Sequence, residues 1–174
     1  MLTLDEIKYL STISKFKIVS VLPYDPRTGE IAESLIGRIK NIFPDAELLF
    51  LGAAALGIAG QNDIDLHILS SPDKFSTYLK DLTEMFGKPK HSDCNFVEWN
   101  FQIDGFDIEL YISDPSSAGM LRQMQVFTVL RKNSDLRNEY EQLKLSFVGK
   151  SYYDYQKAKY EFFNEILNKD ISNF

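Results

Sequence analysis

The sequence predicts an α/β (α+β) fold in which a small mixed sheet is packed by helices, with a C-terminal helical hairpin. The segment Asp63–Leu69 alternates polar and apolar residues with the period of two that a strand requires. The dipeptide Asp104-Gly105, between two further alternating segments, is the strongest short signal for a β-hairpin. Residues 116–174 carry apolar side chains at helical spacing. We therefore expect a single domain, residues 1–174, whose helical C-terminal part covers about 116–174.

Further helices and two further strands are predicted ahead of the hairpin. Apolar residues three or four apart predict helices over residues 4–13 and 30–43. Residues 16–22 are rich in β-branched side chains and predict a strand that Pro23 ends. An apolar strand also runs through residues 48–51, immediately ahead of a glycine.

Residues that typically start or end helices predict the limits of the remaining elements. Ser70-Ser71-Pro72-Asp73 is typical of a helix start, and Gly87 closes the apolar stripe that follows it. Residues 91–93 are polar and predict a loop. In the last third, Asn133-Ser134 and Gly149 divide the helical pattern into three stretches.

Composition and charge exclude several classes of protein. The 174 residues are 44% hydrophobic and 13% aromatic, which suits a well-filled core. A formal net charge of −6 argues against a broad nucleic-acid surface. The single cysteine, Cys94, excludes an internal disulfide framework. With no basic leader and no apolar run approaching the length of a membrane span, we expect a cytoplasmic protein without membrane contact.

The strand over Asp63–Leu69 carries two carboxylates on one face. Asp63, Asp65 and His67 share that face, because side chains two apart point the same way. Residues two apart lie about 6 to 7 Å from each other, so both carboxylates can reach one hard cation such as Mg²⁺. The competing interpretation of the pair is a solvated strand face.

The hairpin also has an apolar and an acidic face. A two-residue loop at Asp104-Gly105 pairs Ile103 with Phe106 and thereby fixes every later pair. The apolar pairs are Phe101 with Ile108, Trp99 with Leu110, and Val97 with Ile112. The other face pairs Gln102 with Asp107 and Asn100 with Glu109.

These motifs resemble a known family. A strand, Gly52, small residues and then Asp-x-Asp on the next strand resemble the nucleotidyltransferase superfamily, and more narrowly its GrpB-like branch. Pro23-Tyr24-Asp25-Pro26 and the C-terminal stretch from Leu130-Arg131 to Lys159 resemble the same branch, so the resemblance covers residue 16 to the last helix. The chain departs from the family where Ala53 replaces its Ser, in the absence of its Trp after Pro26, and in the absence of its Lys near Gln61-Asn62.

The resemblance implies a Mg²⁺-dependent enzyme that moves a nucleoside monophosphate from an NTP to an acceptor. Asp63 and Asp65 would hold two Mg²⁺ ions, with Asp107 as the third carboxylate and Glu109 as its alternative. The turn at Gly52 and Ala53 would position the triphosphate. Contacts to phosphates are implied for Arg131, Lys144 and Lys159. The expected partners are a nucleotide and a small-molecule acceptor; the acceptor, the nucleobase and the oligomeric state stay open.

A second interpretation is a catalytically degenerate module that binds a nucleotide or a protein. It accounts for the missing hydroxyl at Ala53 and reads Ala53-Ala54-Ala55 as a helix-favouring segment packed beneath the sheet. In this interpretation the helix lysines are solvated. His67, on the face of the two aspartates, is either a base or supporting residue of the site or a hydrogen-bonded structural residue.

Overall fold

Five strands form one mixed sheet in the computed structural model, which describes residues 2–14 and 16–171. Their order across the sheet is β1-β2-β5-β4-β3, with β2 and β5 parallel and the other neighbours antiparallel. The strands are β1 (Glu47–Leu51), β2 (Asp63–Leu69), β3 (His91–Ser92), β4 (Phe96–Ile103) and β5 (Phe106–Ser113). The predicted mixed sheet is thus confirmed.

Seven α-helices surround this sheet within the described residues. They are α1 (Leu4–Thr12), α2 (Arg27–Ile42), α3 (Gly52–Leu56), α4 (Phe75–Phe86), α5 (Ala118–Lys132), α6 (Ser134–Ser146) and α7 (Tyr152–Ile171). The predicted C-terminal hairpin consists of α6 and α7, and α5 contacts both of them. None of the helices in the described part of the chain is long and apolar enough to cross a membrane.

One face of the sheet is covered by α2 and α4 and forms the main hydrophobic core. The strand side chains that point into it include Ile64, Leu66 and Ile68 of β2, all fully buried. Leu35 and Ile39 of α2 and Leu82 of α4 pack against this face. Burying each such side chain contributes about 1.5 to 3 kcal/mol, so this layer holds the strands in register.

The opposite face of the sheet carries the polar residues of β2 and β5. A second apolar cluster lies beyond it, among α3, α5, α6 and α7, and includes Leu130, Tyr140 and Phe162. Because the polar strand face and this helical cluster are not pressed together along their whole length, a cleft remains between them.

The hairpin has the predicted register. Ile103 pairs with Phe106, and Trp99 pairs with Leu110 as the alternation requires. Asp104 and Gly105 both have positive φ, 52° and 85°, which is the backbone of a two-residue turn matched to the strand twist.

The structure differs from the sequence-based expectations in three places. Residues 16–22 form no regular strand: Ile18 makes an isolated bridge with Ser151 and Leu22 makes one with Gly60. The segment meets two loops and no strand, so its β-branched side chains do not extend the sheet. Conversely, residues 91–92 of the expected loop form β3, which pairs antiparallel with Val97 and Glu98 at the start of β4. Helix α2 also starts at Arg27, three residues before the predicted start.

Candidate active site

The turn after β1 is built around Gly52. Its φ is +75°, a left-handed value that glycine adopts without strain. A Cβ at this position would also overlap the Asp65 carboxylate. The backbone at Gly52 therefore lies directly against Asp65, and both the conformation and the close approach require glycine.

Four carboxylates form a two-by-two block on the polar face of the sheet. The parallel pairing of β2 with β5 places Asp63 beside Asp107 and Asp65 beside Glu109. All four line a cleft of about 960 Å³ whose other walls come from α1, α3, α5, α6 and α7. The structure thus brings the predicted acidic residues together in one cavity.

Asp65 is the most perturbed member of the block. Burial, together with the neighbouring charges of Asp63 and Glu109, raises its pKa to about 8, while Lys159 and Lys144 oppose the rise. Near neutral pH without a cation, Asp65 therefore tends to keep its proton. Aspartates with a strongly raised pKa occur both in functional clefts and in structural charge clusters.

The two β5 carboxylates are held by neighbours on their own sheet face. Asp107 is exposed and accepts a hydrogen bond from Gln102 Nε2 on β4 at 2.8 Å. Glu109 accepts one from the Tyr111 hydroxyl at 2.7 Å. Among the residues that the structure describes, no three His, Cys, Asp or Glu side chains stand close enough to hold one metal ion. The described carboxylates therefore line one cleft without converging on a single point.

Two side chains of α6 form hydrogen bonds with the loop that leads into β2. Glu141 accepts the Ala59 N–H at 2.7 Å, and Lys144 Nζ donates to the Ala59 carbonyl at 3.1 Å. A Cβ at Gly60 would lie 3.7 Å from Lys144 Nζ and 3.8 Å from Asp63 Oδ1, so the ammonium is close to the acidic block. Burial lowers the pKa of Lys144 to about 8, and Lys159 adds to the decrease, while Asp63, Asp65 and Glu141 oppose it.

The other two basic residues implied by the resemblance occupy different places. Lys159 on α7 lines the cleft, with its ammonium 5.6 Å from the centre of the Phe163 ring. Arg131 is exposed near the end of α5 and is not part of the cleft lining. The structure therefore groups Lys144 and Lys159 with the carboxylates and leaves Arg131 outside.

Ala53 is a buried residue that borders both the cleft and the helical cluster. It is 7% exposed and packs with Ile58, Leu130 and Tyr140. A Cβ at Gly60 would approach its methyl group to 2.9 Å, so little room surrounds it. The packed interpretation of the alanine segment describes this position well.

His67 lies on the same strand face as the carboxylates, but it is buried and bound by neighbouring side chains. It is 4% exposed, stacks on Tyr111, and its Nδ1 is 2.9 Å from the Ser113 hydroxyl. Burial lowers its pKa to about 4, so the ring is neutral at pH 7.

Several residues that line the cleft were not predicted from the sequence as site residues. Tyr140 and Tyr155, whose hydroxyls are hydrogen-bonded to each other, line the cleft, as do Arg122 and residues of α1. Glu141 had a readable signal, because Glu141 and Lys144 lie three apart on α6 beside the apolar stripe that includes Tyr140. No pattern in the sequence indicated that α1 would lie beside the cleft.

Comparison with known proteins identifies the family. The model of the family described as GrpB protein matches residues 18–169. The chain belongs to the GrpB family. This membership agrees with the Gly52 turn, the Asp-x-Asp strand and the C-terminal helices. A search of curated proteins gives no significant match.

Solved structures add weaker likenesses. The Cid1 poly(U) polymerase with bound MgGTP is 14% identical, with a TM-score of 0.43 over 78% of this chain and 46% of that chain. A cytoplasmic RNA terminal U-transferase is 16% identical, with a TM-score of 0.40 over 78% of this chain and 45% of that chain. This GrpB-family chain spans less than half of either neighbour, and likeness at this level says nothing about activity.

Replacing Asp65 by Asn tests the charge repulsion within the block. The pKa of about 8 in the folded protein lies above the ordinary aspartate value of 3.8, so between these pH values the folded state holds a proton that the unfolded state has lost. The wild-type free energy of unfolding should fall as pH rises from about 4 to about 8. Each pKa unit is worth about 1.4 kcal/mol and water in the cleft screens part of it, so we expect Asp65→Asn to be about 1 to 3 kcal/mol more stable than wild type at pH 8.

Urea denaturation at about pH 4 and about pH 8 measures this difference. Asp107→Asn, on the exposed carboxylate of the same block, is the matched control and should change stability by less than about 0.5 kcal/mol. An Asp65→Asn protein that is less stable at both pH values would show that the carboxylate is a structural hydrogen-bonding group.

Replacing Gly52 by Ala tests the contact between the turn and Asp65. The positive φ and the overlap with the carboxylate should together destabilise the protein by about 2 to 4 kcal/mol. In the Asp65→Ala background the overlap disappears and the φ strain of about 1 to 2 kcal/mol remains. Urea denaturation of the four proteins gives the coupling energy, and additive effects would contradict a direct contact.

Proposed function

We propose that the cleft binds a nucleoside triphosphate with Mg²⁺ and transfers its nucleoside monophosphate to a small-molecule acceptor. The observation that carries the proposal is the block of Asp63, Asp65, Asp107 and Glu109 in one cavity with the Gly52 turn. Lys144 and Lys159 border the same cavity. Carboxylates for a divalent cation beside ammonium groups for phosphates are the parts that phosphoryl transfer uses.

The donor set suits Mg²⁺ in its chemistry. All four side chains offer hard oxygen ligands from one face of two adjacent strands. Burial, and after it the charges of Asp63 and Glu109, raises the pKa of Asp65, and a divalent cation bound beside it would favour its ionised form. In this proposal Asp63, Asp65 and Asp107 hold the metal, with Glu109 as the alternative third ligand. Bound Mg²⁺ would neutralise charge on the phosphates.

The remaining residues bind and orient the substrates. Lys159 lines the cleft, and its charge acts on Asp65, so in this proposal it contacts a phosphate. Lys144 already donates to the Ala59 carbonyl, so it holds the loop before Asp63 and adds positive potential beside the block. Asp107, exposed and bonded to Gln102, accepts the proton of the acceptor hydroxyl. The Gly52 turn brings backbone next to Asp65, where the triphosphate would lie.

The charge of the cleft favours a small acceptor over a polyanion. Within the described residues its lining contains six acidic side chains and four basic ones. The acidic members are Asp5, Glu6, Asp63, Asp65, Asp107 and Glu109, and the basic members are Lys17, Arg122, Lys144 and Lys159. With a net charge of −6 on the whole chain, a long nucleic acid would be repelled.

The second candidate is a degenerate module that binds a nucleotide without transfer. Two observations favour it: the Ala53 side chain is packed among the helices, and the described carboxylates do not converge around one metal position. Binding and turnover must therefore be measured separately.

Nucleotide binding is tested with a thermal-shift panel of the four NTPs, each with and without Mg²⁺. A ligand at about 100 times its dissociation constant should add about 2.7 kcal/mol to the free energy of unfolding. Asp65→Asn should abolish the Mg²⁺-dependent part, whereas Glu84→Gln, exposed on α4 behind the opposite face of the sheet, should leave it intact. Pyrophosphate release in the presence of candidate acceptors then measures transfer.

The outcomes separate the two candidates. Mg²⁺-dependent binding with pyrophosphate release supports the transferase, and binding without release supports the degenerate module. Stability unchanged by every NTP would contradict both.

Restoring a hydroxyl at position 53 tests the turn itself. If the turn approaches the triphosphate, Ala53→Ser should strengthen Mg²⁺·NTP binding by about 0.5 to 1.5 kcal/mol, the net value of one hydrogen bond. Because Ala53 is buried and crowded by Gly60, the free protein should lose about 1 kcal/mol of stability. Calorimetric titration of both proteins, with a denaturant melt of each, checks the two effects. Lost stability with unchanged affinity would favour the degenerate module.

A further inference from the structure

A buried carboxylate from α1 lies in a cradle formed by α5 and α7. Glu6 is 6% exposed although it is charged, and it lies on the wall of the cleft. Its Oε1 accepts from Arg122 Nη2 at 3.0 Å, and its Oε2 accepts from Asn164 Nδ2 at 3.1 Å. The Thr3 N–H adds a third hydrogen bond at 2.7 Å as part of the capping box of α1.

The two donors outside α1 also bind each other. Arg122 Nη2 also donates to Asn164 Oδ1 at 2.6 Å, so the guanidinium and the amide orient each other. Both residues lie inside the segment matched by the family model, residues 18–169, whereas Glu6 precedes it. A guanidinium and an amide N–H aimed at one carboxylate are the donors that recognise a small oxyanion.

Glu6 is one of the two buried residues that attach α1 to the rest of the protein. The other buried residue among the nine of this helix is Leu10. Leu4 and Ile7 are 86% and 52% exposed, so the apolar stripe docks the helix only through its C-terminal end, where Leu10 is buried. A nine-residue helix is marginal by itself. Anything that replaces Glu6 on Arg122 therefore weakens the hold of α1 on the cleft wall.

We propose that Arg122 and Asn164 form a subsite for a small oxyanion, a carboxylate or phosphate group, which Glu6 occupies as an internal ligand. An anion that binds there competes with Glu6 and releases α1 from the wall of the cleft. Since α1 and the anion use the same two donors, each lowers the apparent affinity of the other. The proposal goes beyond nucleotide transfer and needs neither Mg²⁺ nor an NTP.

The test removes the internal ligand and measures anion binding. Inorganic phosphate and acetate are titrated separately into the wild-type chain and Glu6→Ala by calorimetry, with sodium chloride at matched ionic strength as the salt control. Asp5→Ala is the matched variant, because it removes a negative charge from the adjacent α1 residue, which also lines the cleft. We expect Glu6→Ala to bind at least one of the two anions at least tenfold more tightly than wild type, and Asp5→Ala to match wild type.

The second substitution assigns the site. Adding Arg122→Gln to Glu6→Ala should abolish the gained affinity, whereas phosphate bound by Lys144 or Lys159 would be unaffected. Comparing phosphate with acetate shows which oxyanion the subsite prefers. Equal affinities in Glu6→Ala and Asp5→Ala, or a gain that survives Arg122→Gln, would overturn the proposal.

Wild type provides a test that does not depend on the folding of a variant. Hydrogen exchange of the amides in α1 should accelerate several-fold as the effective anion is raised at constant ionic strength, while exchange in β2 and β5 stays unchanged. Glu6→Gln, which keeps the shape of the side chain and loses its charge, should show faster α1 exchange at lower anion concentration. Exchange of α1 that is indifferent to both anions in wild type and in Glu6→Gln would contradict displacement of Glu6.

Discussion

The parallel pairing of β2 with β5 is the constraint on which the rest of this structure depends. It places four carboxylates in a two-by-two block, and their mutual repulsion is opposed by the apolar side chains that the same strands send to the other face. Ile64, Leu66 and Ile68 are fully buried there, and each contributes about 1.5 to 3 kcal/mol. The core behind the sheet thus stabilises an acidic surface that the strands would not maintain alone.

The elements around the block hold it from three directions. Gly52 brings the turn after β1 against Asp65, where no other residue fits. From α6, Glu141 and Lys144 bind both backbone groups of Ala59 and fix the loop into β2. From α1, Glu6 enters the cleft wall through Arg122 and Asn164. The first two contacts support the carboxylates, while the third uses polar groups that a ligand can also use.

Local rules account for what the sequence predicted well. The Asp104-Gly105 turn determines its hairpin, because a two-residue loop allows one register and the apolar pairs agree with it. The failed prediction at residues 16–22 shows the limit of such rules, since β-branched residues favour an extended backbone without supplying a strand to pair with. The same limit applies to α1, whose apolar stripe is partly exposed while its acidic residue is buried.

The sequence by itself determined which side chains share a face: Asp63 with Asp65, and Asp107 with Glu109. Period two and a two-residue turn are local properties, so no distant contact is needed to read them. The tertiary structure alone decided that β2 lies beside β5, that Lys144 is buried near Asp63, and that Arg131 lies outside the cleft. It also decided that Glu6 reaches Arg122, 116 residues away along the chain. These outcomes depend on how helices and strands distant in sequence pack, and packing is set by the whole core together and not by any one segment.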